Sequence, residues 1–499
     1  MHFGDGSAGT QLEVGKDIVA DAGVDIDPEA SQKIKDDLYV DDALTGGSEE
    51  QVQRFVGNKD ELGNYDGTFS QILAIGNFKI KAFGVSGRKK SAETELLGNK
   101  VLGYAYDLEE DIMGVSFPIN ISKKKRSVRQ EPNLTLQDVD LLRSRTLTKS
   151  ILLGVTNGFG DFLGIAAPFT VRFKVMMRQF FLLDEPLAWD EPVPEQCRAE
   201  WISLISEALE AGVLPFPRCT RPATASPGVG PSVVGFCDHG KHAYEARVYL
   251  RWELEGGNMF QSCLAICKAK VLPLRGMTVP RGELSSLTLL SRLVLCVVLA
   301  LQKLDTPPVS SIMLSDSQCA IGAVLSTRSL LPYFQNRVAE IRDTMDQVAR
   351  YCPLEDVHYV ESALNPSDMS TRATAKVSEL GPGSLHQTGP EFLSCPRSSW
   401  PVTKDISPNL IPEDEYRVRD KFVFCAAARS VFCYSGVYTK NPWNAVEELI
   451  HYSDSINKVV RILARYLRGV GDGIRKLYEM KIDNSAHITV KNTPKMQVQ

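Results

Sequence analysis

"VSSIMLSDSQCAIGAVLS", residues 309–326, is the stretch on which the fold turns. An apolar run, Ile312-Met313-Leu314, ends at a carboxylate, Asp316, and the chain passes at once into helical spacing, so a strand hands over directly to a helix. Upstream, "RGELSSLTLLSRLVLCVVLALQKL" (281–304) reads as a long buried helix. Before it, "MFQSCLAICKAKVLPL" (259–274) reads as a strand, and "VVGFCDHGKHAYEARVYLRWELEGG" (233–257) alternates like a β-hairpin. Downstream, "DVHYVESALN" (356–365) is a further strand leading into "PSDMSTRA" (366–373). The order strand, strand, strand, helix, strand, helix, strand, helix predicts an α/β layer with a mixed sheet over 233–375.

Within that layer four acids fall at the ends of elements: Asp238 in the first strand, Glu283 near the start of the long helix, Asp316 at the strand-to-helix junction and Asp368 at a helix start after Pro366. Sheet topology can bring such positions together. Hard divalent cations such as Mg²⁺ take oxygen ligands, and a pair of them can stabilise both the attacking water and the leaving oxygen of a phosphodiester. Taken singly, each acid has a plainer reading. Asp316 and Asp368 could be helix caps, and Glu283 could simply favour the helix dipole.

The 499 residues suggest roughly three domains. With 43% hydrophobic and 23% charged residues the chain reads as soluble and globular, and a net charge of -5 excludes a globally basic nucleic-acid binder. The 11 cysteines lack a CxxC pair or zinc-finger spacing, which suits reduced thiols in a cytoplasmic or nuclear protein. The longest apolar run, Leu293 to Leu301, falls short of a membrane span, and "MHFGDGSAGT" lacks a secretory pattern, so neither membrane nor secretion is expected. Helical spacing is expected over 11–35, 146–155, 195–214 and 442–470, a Pro/Ser/Gly linker over 217–232, and irregular chain from about 376 to 442.

A second acidic feature lies in "IKDDLYVDDALTGG" (34–47). It reads as strand, turn, strand, with Asp41 and Asp42 at the turn and Ser48 capping a helix from Glu49. Two neighbouring carboxylates on a short apolar hairpin repel each other, so the pair is either solvated or offset by a cation.

"FCDHGKHAY", "PRGEL", "LSDSQCAI" and "NPSDMSTR" resemble the successive motifs of ribonuclease H domains in the Pol polyprotein of BEL/Pao-type LTR retrotransposons. The resemblance implies that Asp238, Glu283, Asp316 and Asp368 hold two Mg²⁺ (or Mn²⁺) ions for cutting RNA in an RNA–DNA hybrid. Two departures stand beside the ligands: His239-Gly240 where the family has small residues, and Gly282 where it has Leu. His239 is expected at the surface, without a role. The resemblance extends upstream. "YVDD" looks like the polymerase motif of reverse transcriptases, which implies that Asp41 and Asp42 ligate metal. "LAIGNFKIKAFGVSG" (73–87) and "VLGYAYDLEED" (101–111) resemble the strand motifs that follow it, and 147–195 resembles the thumb and connection.

The implied layout is α/β (α+β): a truncated reverse-transcriptase palm at 1–120, a helical thumb and connection at 121–216, the linker at 217–232, a ribonuclease H-like mixed-sheet domain at 233–375, and an irregular to helical connector at 376–499 that precedes an integrase. Only 38 residues precede Tyr39, too few for the upstream palm strand of that polymerase family, so the expectation is nuclease activity without polymerisation. The expected partners are an RNA–DNA hybrid, RNA or DNA. Local basic runs, "GRKK" (87–90, with Lys89 and Lys90) and "SKKKRSVR" (122–129, with Lys123, Lys124, Lys125 and Arg126), are candidate phosphate contacts or, equally, solvated loops. The competing reading is an inert or domesticated remnant that binds nucleic acid or protein. Convergence of the four carboxylates would favour the enzyme.

Overall fold

The computed structural model describes residues 8–404 except 40, 41, 44, 81, 85–99, 108, 123, 126, 127, 130, 186 and 305, together with 406, 411, 412, 415, 488–491 and 495–498. These fall in two compact units, Met1–Arg417 and Val418–Gln499.

Two helices, α1 (Ala8–Ala22) and α2 (Pro28–Asp37), replace the single helix expected over 11–35. The break has a local cause. The Asp27 carboxylate accepts from the N–H groups of Glu29 and Ala30, and Pro28 occupies the first helical position, which together start a new helix. Strands β1 (Leu38–Tyr39) and β2 (Asp42–Ala43) then pair antiparallel through Leu38↔Ala43 and Tyr39↔Asp42. Ser48 caps α3 (Glu49–Val56) in a capping box with Gln51, as its sequence predicts. Helix α4 (Thr68–Ile75) takes up 73–75, and 76–80 and 82–84 form no regular element, which corrects the strand expected there. Phe55, Phe69, Ile72, Val19, Ala20 and Ile34 fill a small core among these helices.

Strands β3 (Lys100–Val101), β4 (Tyr104–Asp107) and β5 (Ile112–Ser116) form an antiparallel sheet. The short pair β6 (Lys124–Lys125) and β7 (Val128–Arg129) follows. Helices α5 (Val139–Ser144), α6 (Lys149–Thr156), α7 (Ala167–Gln179) and α8 (Glu195–Ala211) come next, and β8 (Val213–Pro217) returns to pair with β5.

The mixed sheet has the order β11-β10-β9-β12-β13-β14. Strands β9 (Ser232–His239), β10 (Ala243–Glu253) and β11 (Phe260–Val271) are an antiparallel meander, and β12 (Ser310–Ser315) lies parallel to β9. Strand β13 (His358–Val360) is parallel to β12, and β14 (Val402–Thr403) closes the edge antiparallel to β13. Alternation along β9 decides what covers each face. Val233 and Cys237 join the core beneath α9 (Val279–Lys303), which also holds Leu287, Leu290 and Val294. Val234 and Phe236 join the opposite core. Gly235 lets α9 approach closely, because a Cβ there would lie 2.5 Å from Leu290 Cδ1.

Helix α9 is by length and composition able to cross a membrane, but 72% of its apolar window is buried inside the fold, as in a core helix. It packs beside α10 (Gln318–Leu325) and α11 (Pro332–Ala349). The opposite core unites Phe173 and Trp201 of α7 and α8 with Phe236, Tyr249 and Leu314 of the sheet, and with Phe392 and Trp400 downstream. Helices α12 (Asp368–Thr371) and α13 (Leu385–Thr388) belong to this side. In Val418–Gln499 the described residues are an antiparallel pair, β15 (Ile488–Lys491) and β16 (Lys495–Val498), so the helix expected at 442–470 lies outside the described residues.

Candidate metal centre

Parallel pairing of Cys237 with Ser315 brings the next residue of each chain segment, Asp238 and Asp316, side by side where β9 and β12 end. Glu283 reaches them from the start of α9. One carboxylate oxygen from each of the three lies within 4.8 Å of the others. Their satisfaction is unequal. Asp238 accepts a hydrogen bond from Thr371 Oγ1, whereas Glu283 Oε2 and Asp316 Oδ1 are buried and unpartnered among the described residues. Burial, with Asp316 and Asp368 adding repulsion against the Thr371 hydroxyl, pushes the Asp238 pKa up to about 6. Burial followed by the charges of Asp238 and Asp316 pushes Glu283 up to about 9. Three acids held together at such a cost form a site suited to a hard cation, since all the donors are oxygen.

Asp368 stands outside this trio. It begins α12, and both its oxygens engage Arg372: Nε donates at 2.8 Å and the terminal nitrogen contacts Oδ2. The fourth acid of the expected set is therefore close enough to raise the Asp238 pKa but spent on an ion pair.

The two departures beside the ligands explain each other. His239 is half-buried rather than surface-exposed, which corrects the expectation, and burial pushes its pKa down. Its ring lies over Gly282: a Cβ on residue 282 would sit 2.0 Å from His239 Cδ2 and 2.1 Å from Nε2. A Leu at 282 and a His at 239 cannot coexist in this packing. Gly240 likewise admits Thr371, whose Cβ and carbonyl oxygen would both stand 2.8 Å from a Cβ on residue 240. Neither ring nitrogen of His239 has a partner among the described residues.

A buried network behind the site carries no sequence motif. Glu245, directly across from Asp238 on β10, pairs with Arg247, and both side chains are fully buried. Arg247 donates to Tyr249 Oη at 3.3 Å and faces His386 Nδ1 at 3.2 Å. Burial and Arg247 push the His386 pKa down to about 3, so the neutral ring accepts from Arg247 at Nδ1 and donates from Nε2 to Ile165 O at 2.7 Å. Such a pair is costly alone, and here Arg247 Nε and one terminal nitrogen are engaged while Glu245 Oε2 and the other terminal nitrogen are buried and unpartnered among the described residues; the contacts made tie β10 to residues 165 and 386. Thr371, Arg372 and this network escape a reading based on acidic motifs because their signal is contact, not spacing.

The polymerase-like residues are less fully described. Asp41, Lys89, Lys90, Lys123 and Arg126 lie outside the described residues, and for Asp42, Lys124 and Lys125 only the strand backbone is described.

The site thus sits in a mixed α/β layer, with two acids where β9 and β12 end and the third at the start of α9. Residues 148–317, about a third of the chain, match the Pao retrotransposon-like RNaseH-like domain family. Asp238, Glu283 and Asp316 fall within the matched span and Asp368 beyond it. Among solved structures the chain is similar to the N-terminal RNase H domain of a Mycobacterium tuberculosis protein fused to maltose-binding protein, at 14% identity over 29% of this chain and 95% of that one, with a TM-score of 0.20. It is also similar to RNase H1 from the halophilic archaeon Halobacterium salinarum NRC-1, at 11% identity over 28% of this chain and 89% of that one, with a TM-score of 0.18. No curated protein matches the chain.

Proposed function

We propose that the mixed-sheet domain is a metal-dependent nuclease that hydrolyses the RNA strand of RNA–DNA hybrids. The observation that carries this reading is the convergence of Asp238, Glu283 and Asp316, with two buried oxygens unsatisfied, inside a span that matches an RNaseH-like family. These three residues would hold Mg²⁺ or Mn²⁺, two ions per site, with Asp368 contributing from the rim once released from Arg372. Cations bound there would neutralise phosphodiester charge and acidify water. The protein's own part is positional. Strand register fixes the Asp238–Asp316 spacing, Thr371 orients Asp238, and α9 brings up Glu283.

The test is cleavage of an end-labelled RNA–DNA hybrid by the full chain with Mg²⁺ or Mn²⁺ and with EDTA, alongside thermal melts at each condition. Metal-dependent scission of the RNA strand and a metal-induced rise in Tm are expected. A protein that binds the hybrid without cutting it, and whose Tm ignores the metal, is a binding remnant rather than an enzyme.

A further inference from the structure

Along α9 and α11, which run side by side, most cations are already engaged. Arg292 pairs with Glu340 at 2.5 Å, and Arg281 donates to Glu415 Oε1 at 2.8 Å. Arg337 differs. Its guanidinium lies 3.8 Å from the centroid of the Tyr333 ring, and it has no hydrogen bond or carboxylate partner among the described residues. Arg281 approaches the same ring at 5.1 Å. The platform itself is fixed: Tyr333 Oη bonds Ser285 Oγ at 2.8 Å and lies 3.4 Å from the Arg281 carbonyl oxygen.

Ser285 and Arg281 stand two residues to either side of Glu283 on the opening turns of α9, so they share its level along the helix and present the face that turns away from it. Tyr244 of β10 lies within the field of Arg337 and Arg292, both of which oppose the rise in its pKa. Directly across from Tyr244 on the edge strand β11 is the exposed Lys270. A guanidinium seated over a ring is partly immobilised with its N–H fork unspent, which suits bidentate capture of a phosphate.

We infer that Arg337, stacked on Tyr333, with Lys270 across from Tyr244 as a second cation, is a phosphate-binding site that holds the sugar–phosphate backbone of the hybrid on the α9–α11 side of the sheet, at the level of Glu283 along α9. The inference rests on the nuclease reading for the identity of its ligand. It places nucleic-acid contact on α11 and β11, not on the basic runs at 87–90 and 122–129.

The experiment measures binding of a fluorescent RNA–DNA hybrid to the full chain across a salt series, in an Asp316→Asn background that cannot cut. Arg337→Ala should weaken binding about tenfold at low salt and reduce the salt slope by about 0.9, the loss of one phosphate contact. Arg337→Lys should restore the slope but only part of the affinity, because the charge returns without the stacked fork. Tyr333→Leu, with Arg337 intact, should fall between the wild-type stack and Arg337→Ala. If Arg337→Ala binds as tightly as the parent, with the same slope, the site is overturned while the nuclease reading stands. If the parent itself fails to bind the hybrid, the nuclease reading fails and this inference falls with it. Circular dichroism and melts of each variant separate loss of contact from loss of fold.

Discussion

The chain presents neighbouring acids in two places, and the two are built differently. Strands β1 and β2 are joined by two residue pairs, and Asp41 and Asp42 are neighbours by sequence alone. The trio at the end of the mixed sheet draws on positions 238, 283 and 316, and a six-stranded sheet with a long helix holds them there. Two paired residues per strand fix little, since an isolated short hairpin is marginal at best. A central parallel pair covered on both faces fixes carboxylates rigidly enough to keep them together against their repulsion. The lesson is that adjacency in sequence is a weaker mark of a metal site than convergence enforced by a core.

The sharpest way to break that comparison is to neutralise one acid in each place. Asp316→Asn should cut hybrid cleavage roughly 10²–10³-fold or more, on the scale of removing other groups that stabilise transition-state charge. Asp41→Asn should leave cleavage unchanged. Equal losses would mean the hairpin belongs to the same active centre and the contrast is false.

A second test targets packing beside the trio. In Gly282→Ala the new Cβ enters the space of the His239 ring, so the ring must swing away or α9 must shift, at a cost of about 1–3 kcal/mol in chemical denaturation. The double variant Gly282→Ala/His239→Ala should recover most of that loss, giving a coupling energy of similar size. Additive losses would show that the two residues do not compete for one space.

The pH dependence of the metal-free protein follows from the raised carboxylates. Their folded pKa values exceed the ordinary carboxylate range near ~4, so the native state binds protons more tightly than the unfolded chain. Stability should therefore fall as pH climbs from that range through about 6 for Asp238 and on towards about 9 for Glu283. Glu283→Gln should be more stable than wild type by roughly 1–2 kcal/mol at pH 8, with the difference closing near pH 4. Saturating Mg²⁺ should erase the advantage. A variant no more stable than wild type at pH 8 would show that the acids are not under strain.

How much of this was legible follows from the range of the signal. The strand-to-helix junction at Ser315–Gln318 and the helix α9 could be read because apolar run, carboxylate and helical spacing are all local. Helix α11, which the expected order of elements leaves out, carries an equally local signal, with Phe334, Val338, Ile341, Met345 and Val348 recurring on one face. The pairing of Cys237 with Ser315 was out of reach, because register is set by which faces are buried and not by either strand alone. The same holds for His239. Beside a ligand in sequence it looked exposed and idle, and only the absent side chain at 282, on another element, reveals where its ring goes. The stretch after 376 read as irregular for want of periodicity, yet Leu393, Phe392 and Trp400 seal one face of the sheet and Arg251 donates to the Leu393 carbonyl at 2.7 Å.

The smallest effect is expected at Asp368, and it tests how far the trio stands apart from its neighbour. The Asp368–Arg372 pair is open to solvent on the arginine side, at 69% exposure, so breaking it should cost no more than about 1 kcal/mol of stability. Cleavage by Asp368→Asn should fall less than it does in Asp316→Asn, since the carboxylate already has a partner and is not one of the three that converge. One more readout is diagnostic. The charge on Asp368 is among the causes that raise the Asp238 pKa, so its removal should shift the acid limb of the pH–rate profile downward. Arg372→Ala should do the reverse of a simple disruption: by freeing Asp368 it makes cleavage more sensitive to this acid, so Asp368→Asn should cost more in the Arg372→Ala background than alone. A loss in Asp368→Asn as deep as in Asp316→Asn, with no change in that limb, would place Asp368 in the centre itself and make the ion pair a resting arrangement that the metal displaces.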